Sequence, residues 1–155
     1  MNSNKIIPTE IETACIKALK HYPELDDVHI KFIFSDNIRK SVMQAQPLVA
    51  SMFGLKKKRS YLIKMSKCFV LKGKKIFLTE LPEDVLVGWI GHELGHVMDY
   101  RTKNDLEMII FGVLYLTSKQ FIISAERAAD TYAVNHGLGE YILKTKNFIL
   151  HEAGM

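Results

Sequence analysis

Apolar positions recur at strand spacing through much of the first half of the chain and at helical spacing through the second. Pro8 precedes Ile11, Ala14, Cys15, Ala18 and Leu19, three or four positions apart. Glu10 and Glu12 lie near the start of that run and Lys17, Lys20 and His21 near its end, as a helix dipole favours. A helix over Thr9 to His21 is predicted, stopped by Pro23. Val28 to Phe34, Tyr61 to Met65 and Lys75 to Thr79 are short β-branched and aromatic stretches, the last after a turn at Gly73, and predict three strands. Ile38 to Phe53 reads less simply, with Ser41 to Gln46 fitting a fourth strand and Pro47 to Phe53 a short helix ended by Gly54.

From Pro82 onward the period is helical. Leu86, Ile90, Leu94 and Val97 form one apolar stripe, and Val85, Trp89, His92 and His96 form a second, so a long helix reaching about Arg101 is committed on both faces. Asp105 to Thr117 predicts a very apolar helix. Lys119 to Asn135 predicts another, ending at His136 and Gly137, and Glu140 to Leu150 a last one. The expected fold class is α+β: a small mixed or antiparallel sheet of three to four strands packed on helices, in a single domain spanning residues 1–155.

Composition narrows the class of protein without naming a function. With 48% hydrophobic and 25% charged residues the chain can bury a core, which excludes disordered and fibrous classes. A net charge of +4 is short of a nucleic-acid-binding signature, so no nucleic-acid partner is expected. Lys56, Lys57, Lys58 and Arg59, and again Lys72, Lys74 and Lys75, read as solvated turn residues flanking a strand. Cys15 and Cys68 lack any paired spacing and the N-terminal residues lack the apolar core of a secretory signal, so a cytoplasmic location is expected. The longest apolar stretch, Met108 to Leu116, is well short of the roughly 20 residues that span a bilayer, and reads as a buried helix with peripheral membrane contact as the alternative.

The chemistry concentrates at His92-Glu93-Leu94-Gly95-His96. Residues four apart on a helix emerge on one face, so both imidazoles can hold one Zn²⁺, while Glu93 is offset toward a water on that ion. Six His and ten Glu in this chain would produce the pattern by chance roughly 0.015 times. The competing account, a satisfied polar patch, places three ionisable groups on a core helix with nothing to bind them together. A catalytic zinc needs a third protein ligand and an open fourth position. Glu126 fits the first requirement on the later helix, because Ala125, Ala128, Ala129 and Ala133 around it let two helices approach closely. Asp130, one turn on, would accept a hydrogen bond from the far nitrogen of a ligating histidine. Otherwise Glu126, Arg127 and Asp130 are the ordinary charged decoration of a helix surface.

His92-Glu93-x-x-His96 followed by Glu126-x-x-Ala129-Asp130 resembles the gluzincin-type zinc metallopeptidases, particularly the HtpX-related peptidases and their small soluble relatives, chiefly over residues 82–137. The resemblance implies a zincin-like fold with one Zn²⁺ per chain held by His92, His96 and Glu126. It also implies Glu93 as general base, Asp130 behind a ligand, and a sheet edge that binds an extended peptide or flexible protein segment. The chain departs from the larger relatives in having no convincing transmembrane span. The ImmA/IrrE regulatory metallopeptidases share the histidine motif and a downstream Glu, but usually carry Asn where Asp130 stands. The function expected is hydrolysis of peptide bonds by a zinc-activated water, with a latent or non-catalytic zinc-binding regulatory or interaction module as the alternative and an ImmA/IrrE-like regulatory peptidase as a second, enzymatic one.

Two expectations remain local. The donor for the oxyanion is open among Tyr132, His136 and Tyr100. Gly88, Gly91 and Gly95 each cost about 1 kcal/mol relative to Ala in a helix. Something should therefore require their missing side chains: either the strand at Lys75 to Thr79, taken as the substrate-binding strand, or the helix that carries Glu126.

Overall fold

The computed structural model describes residues 4–38, 41–52 and 58–153. In chain order the elements are β1 (Lys5–Ile6), α1 (Glu12–Leu19), β2 (Ile30–Phe34), β3 (Met43–Pro47), α2 (Val49–Met52), β4 (Tyr61–Met65), β5 (Cys68–Leu71), β6 (Lys74–Phe77), α3 (Glu83–Arg101), α4 (Asp105–Thr117), α5 (Lys119–Ala133) and α6 (Gly139–Ala153). The class is α+β, as the periodicity implies. The proposed end of α2 at Gly54 lies outside the described residues, as do Lys56 and Lys57.

Four strands form one mixed sheet in the order β1-β2-β4-β3, with β1, β2 and β4 parallel and β3 antiparallel to β4. β4 is central, and its Tyr61, Leu62, Ile63 and Met65 are buried, whereas β3 alternates buried Met43 and Ala45 with exposed Gln44. The strand predicted near Lys75 is not part of this sheet. β6 pairs only with β5 in a separate hairpin closed at Lys72 and Gly73, both at positive φ. The two strands the periodicity missed are β1, which has only two residues, and β5.

β3 is the sheet edge that meets the helices. The Val42 carbonyl accepts from the Ser66 amide and the Leu48 amide donates to the Ser60 carbonyl, at 2.9 and 2.8 Å, on either side of β4. Even-numbered residues of β3 therefore face the sheet, and Met43, Ala45 and Pro47 turn their backbone polar groups outward. Pro47 has no amide to leave unpaired there.

α3 runs through the interior. Leu86, Ile90, Leu94 and Val97 are buried as one stripe predicts, and so are Gly88, Gly91 and Gly95. Each glycine marks a close approach, though not by the strand at Lys75. A Cβ on Gly95 would lie 2.3 Å from the Ala129 carbonyl oxygen of α5, and one on Gly88 would lie 2.2 Å from the Tyr141 carbonyl oxygen of α6. At Gly91 the neighbour is the Leu138 side chain. The helix expectation is thus correct at Gly95 and the strand expectation is not. Between α5 and α6 the helix kinks at Gly137, φ 82°, and α6 continues along α3.

α4 departs from the buried helix expected of Met108 to Leu116. Only Met108 and Phe111 are buried; Leu106, Ile109, Ile110, Val113 and Leu116 face outward, Leu116 at 86% exposure. The helix lies on the flank of the core, where one face meets protein and an aliphatic face does not. Among the described residues no single helix is long and apolar enough to cross a membrane. Arg59 also departs from the solvated turn residue expected. Its guanidinium donates to the Tyr100 and Lys103 carbonyls at the end of α3, at 3.0 and 3.1 Å, and pairs with Asp105 at 2.6 Å, tying the α3–α4 turn to the sheet.

Candidate metal centre

α5 buries Ala125, Ala129 and Ala133 in one row, and the Gly95 contact lets that row settle directly on α3. Glu126 and Asp130 lie beside the row and reach the imidazoles. His92 Nε2 is 3.0 Å from Glu126 Oε2 and His96 Nε2 is 3.4 Å from Glu126 Oε1. The ligand atoms of His92, His96 and Glu126 all lie within 4.8 Å of one another. Two ligands on a tetrahedral zinc with bonds near 2 Å are separated by about 3.3 Å, close to the two histidine–carboxylate separations of 3.0 and 3.4 Å. Two imidazoles and a carboxylate are also the donor set zinc accepts while keeping a fourth position open.

The outer contacts differ for the two histidines. His92 Nδ1 is 2.8 Å from Asp130 Oδ1, and Lys146 of α6 holds the other Asp130 oxygen at 2.7 Å. This leaves His92 Nε2 directed at the cluster. His96 Nδ1 is buried with no hydrogen-bond partner among the described residues. Stacking fixes its ring instead, on Tyr100 at 5.8 Å, with His92 edge-on at 4.8 Å.

Glu93 is 4% exposed and accepts the Ala45 amide at 2.8 Å, joining α3 to the outward edge of β3. Tyr100 donates to the Ala45 carbonyl at 3.3 Å, so both outward backbone groups of Ala45 are engaged. Burial raises the Glu93 carboxyl above the usual carboxylate range against the pull of His92, His96 and the Ala45 amide, so it is disposed to take up a proton. Burial opposes charge on His92, but the hydrogen bonds to Asp130 and Glu126 outweigh it and push the imidazole up to about 10. The same pairing, seen from the carboxylates and again against burial, holds Glu126 and Asp130 low, with Lys146 adding to the effect on Asp130.

The structure brings together all five residues that the sequence reading selected: His92, Glu93, His96, Glu126 and Asp130. It does not bring Tyr132 or His136 to the cluster. His136 contacts Glu24 at 3.1 Å and stacks on Tyr22, and Tyr132 lies beside His136. Tyr100 is adjacent, but its hydroxyl is committed to Ala45. Reading the motifs missed Lys146, the Ala45 amide and Tyr115. Only Tyr115 carried a signal: an aromatic four residues after Phe111 in an otherwise aliphatic run. Comparisons with family models, curated proteins and solved structures find no match for the chain.

Proposed function

We propose that the chain is a zinc-dependent metallopeptidase that binds one Zn²⁺ through His92, His96 and Glu126. The observation that carries this reading is the convergence of those three donors, with Glu93 buried between them and the edge strand β3. Bound zinc would supply Lewis acidity toward a scissile carbonyl and acidify a water. Asp130 holds the ring of His92 from behind, and stacking on Tyr100 holds that of His96. Glu93, its carboxyl raised by burial, accepts a proton from the attacking water and returns it to the leaving amine.

The substrate suited to this arrangement is an extended peptide or flexible protein segment lying along β3, which takes the place expected of Lys75 to Thr79. An incoming strand would meet the outward groups of Met43 first and would compete with Glu93 for the Ala45 amide. Wild-type protein should carry about one zinc per chain and cleave an unstructured protein, with Glu93→Gln keeping the zinc and losing the cleavage. Glu126→Ala should lose the zinc with both histidines intact. Zinc binding with no cleavage of any denatured protein would leave a non-catalytic metal-binding module, and unchanged zinc in Glu126→Ala would remove the third ligand.

A further inference from the structure

Outside the two motif helices, one side chain among the described residues reaches the Glu126 carboxylate. Tyr115 of α4 donates its hydroxyl to Glu126 Oε1 at 3.2 Å, the same oxygen that faces His96, while Oε2 faces His92. The ring of Tyr115 is itself held. It stacks on Phe111 at 6.0 Å and 16°; Phe111 stands edge-on to Phe121 at 4.9 Å and to Tyr100 at 5.2 Å; Tyr100 stacks on His96. A row of aromatic contacts therefore leaves the cluster at His96 on α3, crosses to α4 and returns to the cluster at Glu126 on α5. α4 turns only Met108, Phe111 and Tyr115 inward to any large extent, so its inner face is given over to this row.

We infer that Tyr115 is a positioning residue of the metal centre, its hydroxyl fixing the Glu126 carboxylate in the orientation that offers an oxygen to the ion. The inference rests on the proposal that His92, His96 and Glu126 bind zinc. The Glu126 side chain is 41% exposed, so packing alone does not set its rotamer. An exposed glutamate loses side-chain freedom when a metal immobilises it. Tyr115, ordered already by the aromatic row, removes part of that cost before the metal arrives. Glu126 then has an outer partner just as His92 has Asp130, and partners of this kind set the direction of a metal ligand.

The test compares wild type with Tyr115→Phe, which keeps the ring on Phe111 and deletes only the hydroxyl. Zinc affinity is measured by competition with a chromophoric chelator, and coordination by the visible absorption of the Co²⁺-loaded protein. Zinc affinity should fall about 10- to 100-fold, and the cobalt bands should change, a signature that a purely structural loss would not produce. Affinity within twofold of wild type with unaltered cobalt bands would overturn the inference. Should Tyr115→Phe not fold, wild type labelled with ¹³C at tyrosine Cζ gives the answer: the Tyr115 resonance should move on adding zinc and stay still in Glu126→Ala, and no movement in wild type overturns the inference. Wild type that takes up no zinc overturns the metal centre itself, whereas equal zinc binding by wild type and Tyr115→Phe overturns only the role of Tyr115.

Discussion

The Ala45 amide donates to Glu93 Oε2 at 2.8 Å, so the edge of the sheet and the proposed proton acceptor share one hydrogen bond. That bond favours the ionised carboxylate and opposes the burial that raises Glu93. Ala45→Pro removes the donor on an edge strand that already holds Pro47, although its ring replaces an amide hydrogen aimed at the buried Glu93 carboxylate and so costs some stability. A hydrogen bond to a charged group is worth about 1.5 kcal/mol, close to the 1.36 kcal/mol of one pKa unit. The acid limb of the cleavage pH profile should therefore move upward by about one pH unit, with zinc content near that of wild type and a lower thermal midpoint. An acid limb that stays in place would show that the amide does not govern Glu93.

How far the sequence foretold this site depends on which contacts are local. His92 and His96 are one helical turn apart, so the motif alone put them on one face. Glu126 and Asp130 could be chosen because alanines around them announced a close helix contact, and Gly95 against Ala129 is that contact. Tyr61–Met65 and Asp105–Thr117 were legible to the residue, one from β-branched and aromatic content and the other from an unbroken apolar run. The aliphatic face of α4 was misjudged because an apolar run looks the same whether protein covers it or not. Lys74–Phe77 was counted with the main sheet because its hairpin partner, Cys68–Leu71, went unread as a strand. Ala45 was invisible for a related reason: its contribution is a backbone amide, and any residue but proline would supply it.

Gly95 and Gly112 make a contrasting pair. Both lie within helices, but a Cβ at Gly95 would meet the Ala129 carbonyl oxygen at 2.3 Å, whereas one at Gly112 meets nothing within 4 Å. The obstruction at Gly95 is backbone, so α3 and α5 must separate to admit even a methyl group. Gly95→Ala should cost about 1 to 3 kcal/mol despite the helix propensity it gains. It should also lower zinc affinity, since Glu126 rides on α5. Gly112→Ala should be stabilising by up to about 1 kcal/mol. Denaturant unfolding of the two metal-free proteins checks both signs; equal effects would remove the glycine argument.

Asp130 is held on one oxygen by His92 and on the other by Lys146. Asp130→Asn keeps the shape but removes the charge behind the imidazole, and zinc affinity should fall about 10- to 100-fold. Lys146→Met should have a much smaller effect, because Lys146 is half exposed and touches the ligand only through Asp130. Chelator competition on the two variants orders them; an equal or larger loss in Lys146→Met would place the control of His92 elsewhere.

The charge on His92 sets how stability and metal uptake should vary with pH. Against the opposition of burial, its hydrogen bonds to Asp130 and Glu126 push it up to about 10, whereas an unfolded histidine titrates near 6.5. A folded value above the unfolded one means that protonated His92 stabilises the metal-free fold. That stabilisation is complete below about pH 6.5 and is lost progressively as pH rises toward about 10. Zinc requires the neutral imidazole and must expel this proton, so its apparent affinity should rise with pH through the same window, by up to about tenfold per unit. Glu126, held well below the usual carboxylate range by His92 and His96 despite burial, is ionised throughout and adds no slope there. In chelator the thermal midpoint should therefore decline from pH 6.5 to 8.5, below the range where Cys15 and Tyr22, both raised by burial, would begin to count. In saturating zinc that decline should be absent, so the stabilisation by zinc widens with pH. Asp130→Asn, which removes one of the two bonds holding the proton on His92, should flatten the metal-free decline. A metal-free midpoint that is level or rising between pH 6.5 and 8.5 would mean that His92 is neutral there, and that zinc enters the cluster without displacing a proton.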